Sequence, residues 1–274
     1  MFARMKQISI RTGLCASLAF GGQALAATKT FTASSGNWSA SGNWSGGNLP
    51  LTGDDVVINT NSACTYDLTS NEPTIKSITV SSGASLTIGS GKDLELASDG
   101  ASSSALTGNI TLTSSTSGII LHDTHTITGS GKIIGQNDGA FITIADLTTL
   151  TLGSSATIEG NLTIKETSGT ATFVNQGTVH ANATGTLWVN TRTVDDSSTG
   201  LWRVSTANSV LRFDPSFSSC HGIGPMSLEG DFTVEAGELD VDCPGFNTSG
   251  TLTWTGGTIN CATNNGGPAA FTGS

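Results

Sequence analysis

Beyond its first 26 residues the chain is built from short runs in which apolar and polar side chains alternate. Ser77-Ile-Thr-Val, Ser85-Leu-Thr-Ile, Asp93-Leu-Glu-Leu, Ala140-Phe-Ile-Thr-Ile and Leu150-Thr-Leu are typical, and turns such as Ser-Ser-Gly and Asn-Asp-Gly separate them. Period-two alternation between glycine-rich turns predicts strands, and no stretch carries the 3.6-residue period of an amphipathic helix. Six runs open on glycine: Gly108-Asn-Ile-Thr-Leu, Gly131-Lys-Ile-Ile, Gly160-Asn-Leu-Thr-Ile, Gly185-Thr-Leu-Trp-Val, Gly230-Asp-Phe-Thr-Val and Gly250-Thr-Leu-Thr-Trp. Ser209-Val-Leu-Arg-Phe fits the same frame, and the successive spacings are 23, 29, 25, 24, 21 and 20 residues. A loose period of strand-sized units predicts a solenoid in which each coil buries its apolar face against its neighbours. Such a coil holds roughly three strands of 4–6 residues plus turns. The expected fold is all-β: a single right-handed parallel β-helix. An antiparallel sandwich would not explain the recurring frame.

Parity assigns the faces, because successive side chains on a strand point to opposite sides. Leu162 and Ile164 point inward and Thr163 outward. The same frame predicts one outward column of Thr111, Ile134, Thr163, Trp188, Arg212, Thr233 and Thr253. Trp188 beside Arg212 is its sharpest feature, since aromatic faces stack on sugar rings and arginine pairs with carboxylated sugars. The competing expectation is that Trp188 packs under a loop formed by residues 191–199.

Composition adds a compartment. Arg4, Lys6 and Arg11 precede an apolar stretch from Leu14 to Phe20, and Ala24-Leu25-Ala26 supplies a small-x-small site. This reads as a signal peptide over residues 1–26, cut after Ala26, and predicts an exported protein, secreted or on the cell surface. The stretch is too short to span a membrane. Removing those three cations from the 11 Lys+Arg leaves 8 against 21 Asp+Glu, a net charge of −13. That balance argues against nucleic acid as a partner, which needs clustered cations. Cys64, Cys220, Cys243 and Cys261 remain; the last three are spaced near the coil period, and export permits oxidation. Of the three possible pairings Cys243–Cys261 is favoured, since neighbouring coils lie within disulfide reach.

Residues 27–60 differ from the repeats. Ser35-Gly-Asn-Trp38-Ser recurs as Ser41-Gly-Asn-Trp44-Ser, followed by Pro50 and Gly53-Asp-Asp-Val-Val-Ile58. A first coil exposes an apolar end, and Trp38, Trp44 and Pro50 suit a cap over it. Asp54 and Asp55 follow Gly53 at a turn, where they would cap backbone N–H groups or hold a cation. Calcium is weakly supported, since it asks for six or more oxygens and only two acids cluster here. The remaining residues, 61–274, are expected to be β-helix repeats.

This W…NWSGG…P…GDDVVI pattern, with Thr65-Tyr-Asp67 and the Ile78 and Leu86 strands, resembles the opening of bacterial exported β-helix proteins, including autotransporter-like passengers and surface adhesins. It is also similar to the opening of the G8 domain. Leu252-Thr-Trp-Thr-Gly-Gly-Thr-Ile resembles repeats of the same exported proteins. The resemblance implies a surface or adhesive role and names no ligand.

A catalytic constellation is not recognisable. Glycoside hydrolysis needs two opposed carboxylates, and Asp195-Asp196, the only tandem acid after the N-terminal module, reads as surface charge on a loop. His122 and His125 would face opposite sides of a strand, so no metal site is expected there, and His221 in its glycine-rich loop has no paired nucleophile. Thr-x-Thr occurs at 111–113, 126–128, 149–151, 170–172 and 251–253, which raises ice binding as a remote alternative. Irregular spacing and the interrupted outward column disfavour it. The chain ends without an evident cap, which predicts either a longer protein or end-to-end self-association. The expected function is that of an exported structural or adhesive β-helix, not an enzyme. The alternative is a carbohydrate-binding or carbohydrate-active β-helix, lyase-like or hydrolase-like, that contacts polysaccharide through Trp188 and Arg212.

Overall fold

The computed structural model describes residues 26–69, 72–97, 100–196, 199–213, 227–241, 247–261 and 270–271. Residues 1–25 of the expected signal peptide, Cys220, His221 and Cys243 lie outside them, as does the side chain of Cys261, so the Cys243–Cys261 pairing does too. Each coil runs along three faces. One coil comprises Ser77–Val80 on the first face, Ser85–Ile88 on the second and Asp93–Leu96 on the third. The next repeats it with Ser102–Leu106, Asn109–Leu112 and Gly118–Leu121. Strands pair in parallel with the same-face strands of neighbouring coils, for instance Ser85↔Asn109 and Asp93↔Gly118. The result is a β-solenoid of about nine turns. No α-helix occurs among the described residues; the only helical pieces are two three-residue 3₁₀ turns, Ser41–Asn43 and Ser45–Gly47. No described helix is long and apolar enough to cross a membrane.

The alternating pattern builds the interior as parity requires. Ile78, Val80, Leu86, Ile88, Leu94 and Leu96 are all buried to within 2 % exposure. Each such side chain contributes about 1.5–3 kcal/mol of transfer free energy. Two aromatic clusters punctuate this aliphatic stack. Trp202 sits inside the later coils, edge-on to Phe213 at 4.9 Å and stacked on Phe232 at 6.2 Å. At the other end Trp38 meets Trp44 at 4.7 Å and Tyr66 at 4.9 Å, and Trp44 meets Phe31 at 5.2 Å. Trp44 Nε1 donates to the Trp38 carbonyl at 2.7 Å. Pro50 is buried as well. Residues 27–60 therefore combine solenoid strands, Thr28–Phe31, Ser35–Asn37 and Asp55–Ile58, with a looped insertion that carries the buried tryptophans.

The recurring glycine has a physical cause. A Cβ at Gly131 would collide with the carbonyl oxygen of Gly108 in the preceding coil. Gly177 and Gly250 are held against backbone carbonyl oxygens of the preceding coil in the same way, while Ala84 and Ala156 take the equivalent corner in their own coils.

The expected single outward column is two. Lys132–Ile144 and Thr157–Glu166 run through the corner from the second face to the third without a break, which joins both faces into one sixteen-stranded sheet. On the second face the ladder places Thr111, Ile134, Glu159, His180, Arg203, Thr233 and Thr253 in line. On the third it places Thr163, Trp188 and Arg212 in line. Glycine-led runs thus begin strands on two different faces, and counting them as one frame merged the columns. Asp195-Asp196 is also corrected: it ends the strand Thr193–Asp196 on the first face instead of lying in a loop. That strand takes up four of the nine residues, 191–199, expected to form a loop over Trp188.

Candidate functional site

The third face carries the densest outward chemistry. Asp93, Gly118, Phe141, Thr163, Trp188, Arg212 and Asp240 follow one another in register, one per coil. Coils are spaced by about 4.8 Å. The adjacent column holds Glu95, Ile120, Thr143, Lys165 and Asn190. The Phe141 ring lies over Gly118, in the space a Cβ there would take unless the ring shifted. Lys165 Nζ sits 4.0 Å from the centre of that ring. Arg212 Cζ lies 5.5 Å from the Trp188 ring, and its Nε is 3.5 Å from Asp240 Oδ2. Both aromatics are half-buried and each has a cation against it. The predicted neighbours Trp188 and Arg212 are brought together, and they form a cation–π pair that is itself the lining of the strip.

The other end of the strip is acidic. Residues 72–76 run beside the third-face strand of the next coil, since Ile75 bridges Leu96 and Thr74 Oγ1 donates to Glu95 Oε2 at 2.7 Å. This brings Glu72 toward Asp93 and Glu95 although they lie 21 and 23 residues apart in sequence. Partial burial, then Asp93 and Glu95, push the Glu72 carboxyl up from its usual range. Burial and Glu95 push Asp93 up, and Lys165 offsets part of this. Asp93 Oδ1 and the Tyr66 hydroxyl are both buried without a hydrogen-bond partner among the described residues. Burial, with the three carboxylates, also pushes the Tyr66 phenol up. Glu72 further borders a groove of about 470 Å³ walled by Leu49, Pro50, Leu51, Leu68 and Pro73. No sequence signal marked this cluster, because its acids come from different coils; only the coil register brings them together.

The two histidines separate across a corner and not by parity on one strand: His122 follows the third-face strand Gly118–Leu121, and His125 opens the first-face strand His125–Thr128. His122 Nε2 lies outside, 3.2 Å from Glu95 Oε2. His125 is fully buried, with Nδ1 2.8 Å from Ser102 Oγ and Nε2 2.8 Å from Ser104 Oγ. No group of three or more His, Cys, Asp or Glu among the described residues is arranged to hold a metal ion. Of the two acids after Gly53, Asp54 accepts from the Ala27 and Leu51 amides at 2.8 and 2.9 Å. Asp55 Oδ1 accepts from Ser77 Oγ at 2.6 Å. Cys64 is a buried free thiol, pushed up by burial and by Asp67.

With this geometry in place, the family comparison is specific. Residues 43–145 match the G8 domain. The G8 segment takes in Trp44, Pro50, the Gly53-Asp54-Asp55 turn, the Glu72–Asp93–Glu95 cluster, both histidines and Phe141, and it stops before Trp188 and Arg212. It spans less than half of the chain, so the aromatic–cation end of the strip lies outside the G8 domain. No curated protein and no solved structure matches the chain.

Proposed function

We propose that the chain is an exported, adhesive β-solenoid whose third face is its contact surface, and that this face takes acidic or neutral polysaccharide of a cell surface or matrix. The observation that carries the reading is the strip itself. Phe141 and Trp188 stand two coils apart in one outward column, about 10 Å from one another, with Lys165 and Arg212 beside them. Flat apolar ring surface edged by cations suits sugar rings that carry carboxylates. The leader-like residues 1–26 support export, and the likeness of the opening segment to surface adhesins supports the same role.

The test is binding of immobilised polysaccharides by the wild-type chain and by Trp188→Ala. Removing the ring is expected to weaken binding about tenfold, in line with loss of one aromatic contact. Equal binding by both proteins, or none by either, would remove Trp188 from the contact surface.

The acidic end favours one second reading, a carbohydrate-active enzyme. A carboxyl held above its usual range beside another carboxylate is what general acid catalysis on a glycosidic bond employs. Glu72 and Asp93 are the residues concerned. Release of reducing ends or unsaturated sugars by the purified chain would favour this reading over simple adhesion.

A further inference from the structure

The first aspartate of the Gly53-Asp54-Asp55 turn is a buried carboxylate without a cation. Asp54 is 4 % exposed, and among the described residues no lysine, arginine or histidine pairs with it. Taking an ionised carboxylate out of water is costly unless hydrogen bonds and an opposite charge offset it. Two backbone amides supply the hydrogen bonds: Leu51 N–H donates to Oδ2 at 2.9 Å and Ala27 N–H to Oδ1 at 2.8 Å. The Ala27 carbonyl in turn accepts from the Asp55 amide at 2.9 Å, and Thr28 begins the strand that pairs with Asp55. Ala27 itself is exposed.

Ala27 is also the residue that follows the small-x-small site Ala24-Leu25-Ala26. We infer that Asp54 is the receptor for the chain's own processed amino terminus, an inference that rests on the export reading above. A signal peptidase adds water across the Ala26–Ala27 peptide bond. Ala26 departs as a carboxylate, and the Ala27 nitrogen takes up protons to become an ammonium. The atom that donates one neutral hydrogen bond to Asp54 then carries a positive charge at the same place. The buried carboxylate gains its counter-charge, and the other two N–H groups of the ammonium face water at the exposed position. Processing thereby locks the first strand onto the second coil, so the solenoid's N-terminal end is completed only after export.

The experiment compares three forms of the chain: one starting at Ala27 with a free amino group, one with that group acetylated, and one retaining Ala26. Acetylation leaves the sequence and the donating N–H intact and removes only the charge. The free form is expected to melt about 3 °C or more above the other two at pH 6–7, with slower amide exchange at Leu51. An ammonium paired in the folded state has its pKa raised, so it stabilises fully below the free amino pKa of about 8, and the difference between the forms is lost as pH rises from there through the higher folded-state value. In the Asp54→Asn background acetylation is expected to change nothing further. Equal melting of the free and acetylated forms with Asp54 present overturns the inference and leaves export untouched. Intact mass of the exported protein checks the other premise: an amino terminus elsewhere than Ala27 overturns the cleavage site and this inference together.

Discussion

At the scale of single residues, the interior records where alternation was allowed to carry polar groups. His125 takes an inward position that Leu150, Phe173 and Val194 fill in the coils that follow. Its two nitrogens are satisfied by Ser102 and Ser104, and Ser104 Oγ also accepts from the Ile78 amide at 3.0 Å. This arrangement suits the neutral ring. Burial therefore lowers the His125 pKa from 6.5 to about 4. The unfolded chain takes up this proton first as pH falls, so stability is full above about pH 6.5, is lost through the window down to about 4, and levels below it. The loss amounts to about 3 kcal/mol for a shift of this size. His180, which burial and Arg203 also lower, adds a slope of the same sign on the second face. Denaturant unfolding at pH 7 and pH 4.5 therefore needs the His125→Gln variant beside the wild type. The variant is expected to be less stable at pH 7 and to show a smaller drop between the two pH values. An unchanged drop would mean that His125 does not titrate in this window.

At the scale of the strand and its corner, glycine marks backbone contact between coils. Gly131→Ala places a methyl group against the Gly108 carbonyl, which is backbone and cannot swing away. A destabilisation of about 1–3 kcal/mol is expected from such overpacking. Gly42→Ala, in the 3₁₀ turn where nothing lies within 4 Å of the added atom, serves as the contrast and is expected to move the denaturant midpoint little. The same corners explain what was legible in the sequence and what was not. Strand positions and inward residues were legible because parity is a local property: Leu162, Ile164, Leu187, Val189 and Leu211 all lie inside as expected. Which corner a glycine serves is not local. Gly131 opens a second-face strand, and Gly185 opens a third-face strand, yet both precede the same alternating pattern. Trp188 and Arg212 were found as neighbours because they lie 24 residues apart on two strands of one face. Glu72 was missed because the segment before Ser77 carries no alternating frame by which to place it on the third face.

At the scale of the whole molecule, contacts run between neighbouring coils, so stability is nearly a one-dimensional sum of coils and their interfaces. The first-face strand Thr172–Asn175 pairs only with Thr149–Leu152 before it and Thr193–Asp196 after it. Asp138 is the notable long reach: its Oδ1 accepts from the Thr186 amide at 2.9 Å, 48 residues away, and so ties two coils across the one between. The two aromatic clusters lie at opposite ends of the described solenoid, with mainly aliphatic coils between them. This layout makes a central lesion a test of coupling. Phe173 is fully buried, with its ring 6.1 Å from Trp202, and Phe173→Ala removes about 3–5 kcal/mol by cavity formation. In a one-dimensional array that loss falls on the coils around residues 149–213. Hydrogen exchange in the variant is expected to show lost protection there, while strands Ser77–Val80 and Ser85–Ile88, four coils away, keep theirs. Thermal unfolding is expected to broaden or split into two steps, because the N-terminal coils, with the G8 segment, retain their own core. A uniform loss of protection along the whole chain, with one sharp transition, would show instead that the solenoid folds as one cooperative unit, and that Asp138 and the continuous corner strands Lys132–Ile144 and Thr157–Glu166 transmit strain past the nearest neighbour.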